Sequence, residues 1–507
     1  MSALPSRFGE VAGRATPASW RLTALLGAAV VLRLAAAWAI PLTEDEAYYR
    51  LWAGHLQAGY YDHPPMIAWW IRVGTLVAGD GPLGVRLLPA LASVAVTAVV
   101  YDLARRLGGE RATAERAAVW YNAALLIGVG GQMATPDAPA TLFWAITLAC
   151  LVRVGERPAW WGAAGLAAGL ACLSKYSALF LGPGVLLWLA SSGQGRRWLA
   201  RPWPWIAAAV AGAVFAVNVV WNAEHGWLSF AKQFGRVAPE GFAPAHLLEF
   251  LSVQFVLLNP LLAIYAAPGL LKAWREREAA QPNLFLVVAT GAPFAAYLLL
   301  HALHDRVQAH WPAPLYPGLA LCAAFAAAAR EPGRRERALR IGGAAAGLVL
   351  AALAAAHMAW PATDVFGPGD PALAMRDWPG FASRLAGVAD RRDAAWIGTV
   401  SYGLAAQLDD QPATGRPVAQ LAERARYGPT DRSWRADLSR PGLVVDLSRR
   451  LDASDLAECF GSIRPLGRLQ RGPEGARNGD YAVFLVSRPL KDVLDQGCWT
   501  SKRKDAG

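Results

Sequence analysis

Long apolar runs fill the chain up to about residue 361, and they restrict the folds open to it. A helix needs about 20 mainly apolar residues to cross a bilayer. Only 17% of the 507 residues are charged, against about 25% in ordinary soluble domains. The runs therefore predict an α-helical polytopic membrane protein, with a membrane domain over residues 1–361. About eleven transmembrane helices are expected, at 22–42, 83–104, 115–134, 138–152, 159–174, 176–191, 204–221, 247–270, 284–303, 313–329 and 341–360.

The composition changes abruptly after this domain. From 362 to 507, Asp, Arg, Gly and Pro are frequent, and no run is long enough to cross a bilayer. Short apolar stretches at 394–400, 442–447 and 481–486 alternate with helical ones such as 372–388. Strands that alternate with helices predict a small soluble α/β domain. Cys459 and Cys498 both fall in it, and their spacing neither requires nor excludes a disulfide.

The arginines show which side each end of the chain occupies. They cluster in every second connection between the apolar runs, for example at 105–116 and at 330–340. Cytoplasmic loops carry such an excess of basic residues. An odd number of spans then puts the N-terminus in the cytoplasm and the C-terminal domain in the periplasm of a bacterial inner membrane. This pattern also accounts for the net charge of +11, so a nucleic-acid partner is not expected.

Polar residues gather in the segments assigned to the outer side. The first of them, 43–82, is rich in Trp and Tyr, which suits helices lying in the membrane interface. Later ones contain Asp137, Lys175 and a group from His301 to His310. Seven of the eight histidines map to the outer half of the chain. Loops far apart in sequence are therefore expected to form one polar cavity at the outer leaflet.

Such a cavity suits chemistry on a lipid-linked phosphate. A carboxylate can deprotonate an acceptor hydroxyl, and a Lys or Arg can neutralise a departing phosphate. The lipid tail would lie between helices. No P-loop and no convincing dinucleotide-binding glycine motif is present. The pattern favours glycosyl transfer from a polyprenyl-phosphate sugar outside the cytoplasm.

Two motifs in the first outer segment resemble a known family. Asp45-Glu46-Ala47-Tyr48-Tyr49 and Tyr61-Asp62-His63-Pro64-Pro65 are similar to the first outer loop of the C-type membrane glycosyltransferases. Within these they resemble the bacterial branch of glycosyltransferase family 39, which includes protein O-mannosyltransferases and lipid A aminoarabinose and galacturonic acid transferases. The resemblance extends from about residue 20 to 410 and includes later blocks, namely Thr135-Pro136-Asp137-Ala138-Pro139, Leu173-Ser174-Lys175-Tyr176-Ser177, His310-Trp311-Pro312 and Ser401-Tyr402-Gly403-Leu404-Ala405-Ala406.

This resemblance implies the C-type fold, a polyprenyl-phosphate sugar as donor and an inverting mechanism. The acceptor is then a hydroxyl or phosphate on lipid A or another lipid, a surface glycan or a protein. Asp45 would be the catalytic or acceptor-orienting carboxylate, and Asp137 the second acidic residue. Lys175 would bind the donor phosphate. The remaining candidates are Glu46 as a further catalytic residue and, for substrate binding, Asp62, His63, Arg50, Tyr48, Arg306 and His310.

Structural explanations compete for several of these residues. Asp45, Glu46 and Asp137 stand where helices begin, and acidic residues favour helix starts. Lys175 lies near a membrane boundary, where lysines snorkel towards water. The histidine spacing matches no compact zinc motif, so no metal site is expected. No cofactor is identified; acidic residues can hold a divalent cation, but the sequence does not indicate one.

A transporter or flippase of a lipid-linked glycan is the main rival function. Transporters place charged groups near the membrane midplane and often contain repeats. Here the charges gather at one face, only Arg33 stands clearly inside a span, and no repeat is evident. A non-catalytic membrane scaffold would leave the converging polar groups unexplained. The sequence therefore favours an enzyme.

Overall fold

A computed structural model describes residues 20–235, 241–279, 282–360, 366–428, 435–472 and 479–496. It is mainly helical. The helices of the first part are α1 (Trp20–Ala39), α2 (Glu44–Ala53), α3 (Met66–Ala78), α4 (Pro82–Arg106), α5 (Arg111–Ala123), α6 (Leu125–Gly130), α7 (Asp137–Leu151), α8 (Trp160–Cys172), α9 (Leu181–Ala190), α10 (Gly193–Leu199), α11 (Trp203–Glu224), α12 (Leu228–Gly235), α13 (Ala245–Leu257), α14 (Pro260–Arg275), α15 (Phe285–His301), α16 (Tyr316–Ala328) and α17 (Arg334–Ala359).

Each of the eleven predicted spans coincides with a helix or with two consecutive helices. By length and composition, four of the described helices can cross a membrane: α1, α4, α11 and α17. A fifth span results if α13 and α14 are counted together, although they meet at a bend of 106°. The other apolar helices have 10–17 residues, so the number of eleven remains a prediction.

The single helix expected over 247–270 is wrong, because the chain breaks at Asn259. This residue has a φ of +75° and precedes Pro260, which lacks the N–H that would continue a helix. The Asn259 side chain accepts a hydrogen bond from the N–H of Leu261 and donates to the carbonyl of Gly343 at 2.7 Å. These bonds satisfy polar groups that the break would otherwise leave open.

The first outer segment forms the two helices α2 and α3. A capping box begins α2: Thr43 accepts from the N–H of Glu46, and the Glu46 carboxylate accepts from the N–H of Thr43. Helix α3 starts directly after Pro64-Pro65. It crosses α4 at Gly84, where an added Cβ would lie 1.9 Å from the carbonyl oxygen of Gly79. Only a glycine permits this approach.

The C-terminal part contains a five-stranded mixed sheet in the order β2-β1-β3-β5-β4. The two neighbours of β1 are parallel to it, and β3, β5 and β4 are antiparallel. The predicted stretches at 394–400, 442–447 and 481–486 coincide with β1, β3 and β5. Cys459 is disulfide-bonded, and Cys498 lies outside the described residues. The elements are β1 (Trp396–Thr399), β2 (Val418–Gln420), β3 (Gly442–Leu447), β4 (Phe460–Gln470), β5 (Asp480–Pro489), α18 (Trp378–Arg391), α19 (Tyr402–Asp409), α20 (Ala453–Leu456) and α21 (Val493–Gln496).

One hydrophobic core joins this sheet region to the first outer segment. Tyr48 and Trp52 of α2 belong to the same buried cluster as Leu404 of α19 and Val445 of β3. Helix α19 packs directly on α2. A Cβ at Gly403 would lie 2.5 Å from the Glu44 carboxylate, so the two helices begin almost in contact. The C-terminal region thus covers the start of α2.

Candidate active site

Asp137, Lys175 and His310 meet although they come from three distant segments. Asp137 is the first residue of α7 and is 4% exposed. Lys175 follows α8 in extended backbone, and its Nζ lies 2.7 Å from Oδ1 of Asp137. His310 Nε2 lies 3.5 Å from the other oxygen, Oδ2. Within the described ranges that buried oxygen accepts no hydrogen bond. The group therefore combines a cation with a buried acceptor atom that no described residue satisfies.

The surroundings of His310 favour the neutral form of its imidazole. Its side chain keeps 41% exposure, yet desolvation by the surrounding protein lowers the pKa of the imidazole. Lys175 also acts to lower this pKa, while Asp137 and Asp45 act to raise it. A neutral imidazole can accept or donate a hydrogen bond at neutral pH.

Asp45 lies in the first turn of α2 and contacts the C-terminal region. Tyr402, the first residue of α19, donates a hydrogen bond from its hydroxyl to Oδ1 of Asp45 at 2.8 Å. Burial raises the pKa of Tyr402 above its ordinary value, and Asp45 raises it further. The phenol thus stays protonated and acts as a donor. Burial likewise raises the pKa of Tyr49, with further contributions from Asp45 and Asp137.

Glu46 is buried and bonded entirely within the protein. It is fully buried, as is Arg86 of α4, and Arg86 donates to both of its carboxylate oxygens at 2.6 and 2.5 Å. The N–H of Ala134 and that of Thr43 donate to the same carboxylate. Every acceptor position of Glu46 is used within the protein. The carboxylate expected to be catalytic therefore ties the start of α2 to α4 and to the segment before α7.

Asp62 and Tyr48, two predicted substrate-binding residues, bind the C-terminal region instead. Arg426 donates to Oδ2 of Asp62 at 2.6 Å, and both side chains are less than 10% exposed. The Tyr48 hydroxyl lies 3.1 Å from the same oxygen and donates to the carbonyl of Arg426 at 2.9 Å. Burial alone would lower the pKa of Arg426, but Asp62 and neighbouring groups raise it overall. These contacts fasten the C-terminal region to the first outer segment.

The other three predicted residues contact residues outside the group of Asp137, Lys175 and His310. Arg50 forms ion pairs with Asp80, at 2.7 Å, and with Asp410. The Arg306 side chain is 65% exposed and lies 3.3 Å from Glu249. The His63 ring lies 6.0 Å from that of Tyr49, edge to face. Both arginine side chains are thus engaged in ion pairs with carboxylates of the protein.

An apolar cavity of about 190 Å³ opens beside the polar group. Asp137 and His310 line it together with Tyr121, Ile127, Met133 and Thr141. The Thr141 hydroxyl is buried and has no hydrogen-bond partner among the described residues. Among all the residues that the structure describes, no group of three or more His, Cys, Asp or Glu side chains has the arrangement of a metal site. The cavity has mostly apolar walls with a few polar side chains among them.

The sequence assigns no role to three important residues: Arg86, Tyr402 and Arg426. Arg86 stands alone in an apolar run, where only Arg33 is predicted as an intramembrane charge. An isolated arginine in a predicted span was the signal that could have found it. Tyr402 lay in a recognised block, but no local pattern linked it to Asp45, 357 residues earlier.

Comparisons with known proteins agree with the resemblance seen in the first outer segment. Residues 62–221 match the family model described as dolichyl-phosphate-mannose-protein mannosyltransferase. A lipid A galacturonosyltransferase of Rhizobium johnstonii is 28% identical over 281 residues, which cover 54% of this chain and 58% of that protein. An undecaprenyl phosphate-α-4-amino-4-deoxy-L-arabinose arabinosyl transferase of Erwinia tasmaniensis is 25% identical, over 47% of this chain and 45% of the relative. The matches thus span about half the length of these relatives.

The fold is similar to that of one solved membrane-protein structure. ArnT from Cupriavidus metallidurans, crystallised with undecaprenyl phosphate, superimposes with a TM-score of 0.60, covering 91% of this chain and 97% of ArnT at 16% identity. At this identity the likeness shows the fold alone. Taken with the sequence matches, it confirms the resemblance to C-type membrane glycosyltransferases of the aminoarabinose transferase and protein mannosyltransferase type.

Proposed function

We propose that this protein transfers a sugar from a polyprenyl-phosphate donor to a lipid acceptor of the lipid A class, outside the cytoplasm. The observation that carries the proposal is the meeting of Asp137, Lys175 and His310 beside an apolar cavity. Two curated relatives act on such substrates by their names, a lipid A galacturonosyltransferase and an undecaprenyl-phosphate-dependent arabinosyl transferase. Their names support the substrate class and leave the sugar, pentose or hexose, open.

The chemistry assigned to the site is a single inverting displacement. The acceptor oxygen attacks the anomeric carbon, and the bond from that carbon to the phosphate oxygen breaks. Asp45 takes the acceptor proton through Oδ2, since Oδ1 already accepts from Tyr402. Lys175 neutralises the charge that develops on the leaving polyprenyl phosphate. Asp137 holds Lys175 in place through Oδ1. Its unsatisfied Oδ2 accepts a hydrogen bond from a hydroxyl or amino group of the substrate.

The membrane arrangement is part of the same proposal. Eleven spans would put the N-terminus in the cytoplasm, and both the site and the C-terminal region in the periplasm of a bacterial inner membrane. The disulfide bond of Cys459 supports this location, because disulfides persist in the periplasm and are rare in the cytosol. In that arrangement a lipid donor and a lipid acceptor both reach the site from the outer leaflet.

The test is the mass profile of lipid extracts from cells with the wild-type protein, with Asp45→Asn, or with no protein. In the Asp45→Asn cells and in the cells without the protein, we expect one lipid to lack the mass of a sugar that it carries in wild-type cells. This lipid is then the acceptor. Asp393→Asn is the matched control, because the Asp393 side chain is 91% exposed in the C-terminal region and pairs only loosely with Arg440, at 3.3 Å. A profile from Asp45→Asn identical to the wild-type one would rule out Asp45 as the base.

A further inference from the structure

The C-terminal region contributes a side chain that touches the proposed base. Tyr402 reaches Asp45 from the start of α19 and donates to Oδ1 at 2.8 Å. Among the described residues this is the only hydrogen bond to the Asp45 carboxylate. A hydrogen bond to one carboxylate oxygen restricts the rotation of the group, and it thereby orients the second oxygen. The geometry of the base therefore depends on where Tyr402 is held.

Tyr402 is itself held from several sides. The Arg426 guanidinium lies 4.3 Å from the centre of its ring, a cation–π distance. The Tyr48 ring packs at 4.9 Å from its ring, and the Tyr427 hydroxyl donates to its carbonyl at 2.7 Å. With so many contacts the phenol has little freedom to leave Asp45.

The backbone that leads into Tyr402 is also fixed. Asp446, at the buried end of β3, accepts hydrogen bonds from the N–H groups of Val400 and Ser401, at 3.1 and 2.8 Å. It also accepts from the Thr399 hydroxyl at 3.0 Å. This carboxylate thus secures the turn between β1 and α19. The sheet acts as a rigid support that sets the position of the phenol.

We propose that Tyr402 is the positioning residue of Asp45: its hydroxyl binds Oδ1 and directs Oδ2 towards the acceptor hydroxyl. This inference rests on the proposed function of Asp45 as the base. The phenol keeps its proton throughout, so it neither gains nor loses charge in the reaction. The C-terminal region thereby takes part in turnover without touching the substrate.

A purely structural role for Tyr402 would have different consequences. If the phenol only fastened the C-terminal region to α2, its loss would lower the stability of the protein and leave the rate per folded molecule unchanged. Tyr402→Phe separates the two cases, because it keeps the ring under Arg426 and the packing against Tyr48. It removes the hydroxyl alone.

The experiment measures initial rates of sugar transfer in detergent-permeabilised membranes, with a donor-containing lipid extract as substrate and mass spectrometry as readout. Diluting the extract separates kcat from KM. For Tyr402→Phe we expect kcat to fall about 10- to 100-fold, since misplacement of a catalytic group by about 1 Å costs that order. KM should stay within about twofold, because binding is left intact. Tyr481→Phe, a buried tyrosine of the sheet bonded to Arg471, should match the wild type.

The outcomes separate this inference from the proposed function. If Asp45→Asn loses transfer and Tyr402→Phe keeps a wild-type kcat, the positioning role is refuted and the base stands. If kcat per folded molecule is unchanged and only the unfolding temperature falls, Tyr402 is structural. If Asp45→Asn transfers like the wild type, the proposed function itself fails.

Discussion

The buried pair of Glu46 and Arg86 permits the most quantitative test of how the site is built. Both side chains are fully buried, and Arg86 also donates to the carbonyls of Ile40 and Pro41 at 2.5 and 2.9 Å. Arg86→Met would leave the Glu46 carboxylate buried without its cation. Breaking a buried pair from one side costs about 3–5 kcal/mol. We expect a loss of this size in the free energy of unfolding.

The assay is an unfolding titration with sodium dodecyl sulfate in mixed micelles, followed by tryptophan fluorescence. Arg106→Met is the control, because Arg106 forms partly exposed ion pairs with Asp102 and Glu156, and such pairs contribute about 0–1 kcal/mol. The double variant Glu46→Gln with Arg86→Met should regain part of the loss, since no charge then stays buried. A cost below about 1 kcal/mol for Arg86→Met would refute the reasoning.

The pH dependence of the same pair has a definite sign. Burial alone would raise the pKa of Glu46, but the Arg86 charge and the hydrogen bonds outweigh it and lower the pKa overall. The folded protein then binds fewer protons at this site than the unfolded chain. The stabilisation is complete above the ordinary carboxyl pKa of about 4.3 and is lost as the pH falls through the lowered value. Arg86→Met should not show this acid-dependent loss.

Three further changes test the site and its support. Asp137→Asn should lower transfer at least about 100-fold, because it removes the charge that holds Lys175, and lipid mass spectrometry measures it. Arg426→Gln leaves the Asp62 carboxylate buried without a cation, at a cost of about 3 kcal/mol, and hydrogen exchange of α2 and α19 should rise. Gly84→Leu should prevent folding, because even a Cβ clashes with a carbonyl oxygen there; size-exclusion chromatography of the detergent-solubilised protein would show aggregate only.

Much of the helical architecture could be predicted because apolar runs and basic clusters are local features. The runs located a helix or a helix pair at each predicted span, and strand-like stretches located β1, β3 and β5. The break at Asn259 was missed, since its bonds to Gly343 and to the carbonyl of Ala123 come from distant segments. By composition alone, two short apolar helices separated by a proline cannot be distinguished from one long span.

The site shows the same division between local and distant information. The motifs brought attention to Asp45, Asp137 and Lys175, and the structure places the last two in an ion pair. The resemblance assigns the leading role to Asp45, but no local pattern predicts that its neighbour Glu46 is buried in an ion pair. That distinction arises because one helix turn directs adjacent residues to different sides, and the partner Arg86 is 40 residues away. Burial, which only the folded chain reveals, separates the two carboxylates.

Cleavage of the donor is the central claim, and one measurement tests it most directly. Donor-containing lipid extract is incubated with the purified protein in liposomes, and free polyprenyl phosphate and sugar-modified acceptor lipid are quantified together by mass spectrometry. Sugar transfer predicts equal amounts of the two products, and neither product with Asp45→Asn. An intact donor that moves between leaflets, with no free polyprenyl phosphate, would contradict the account and favour a flippase.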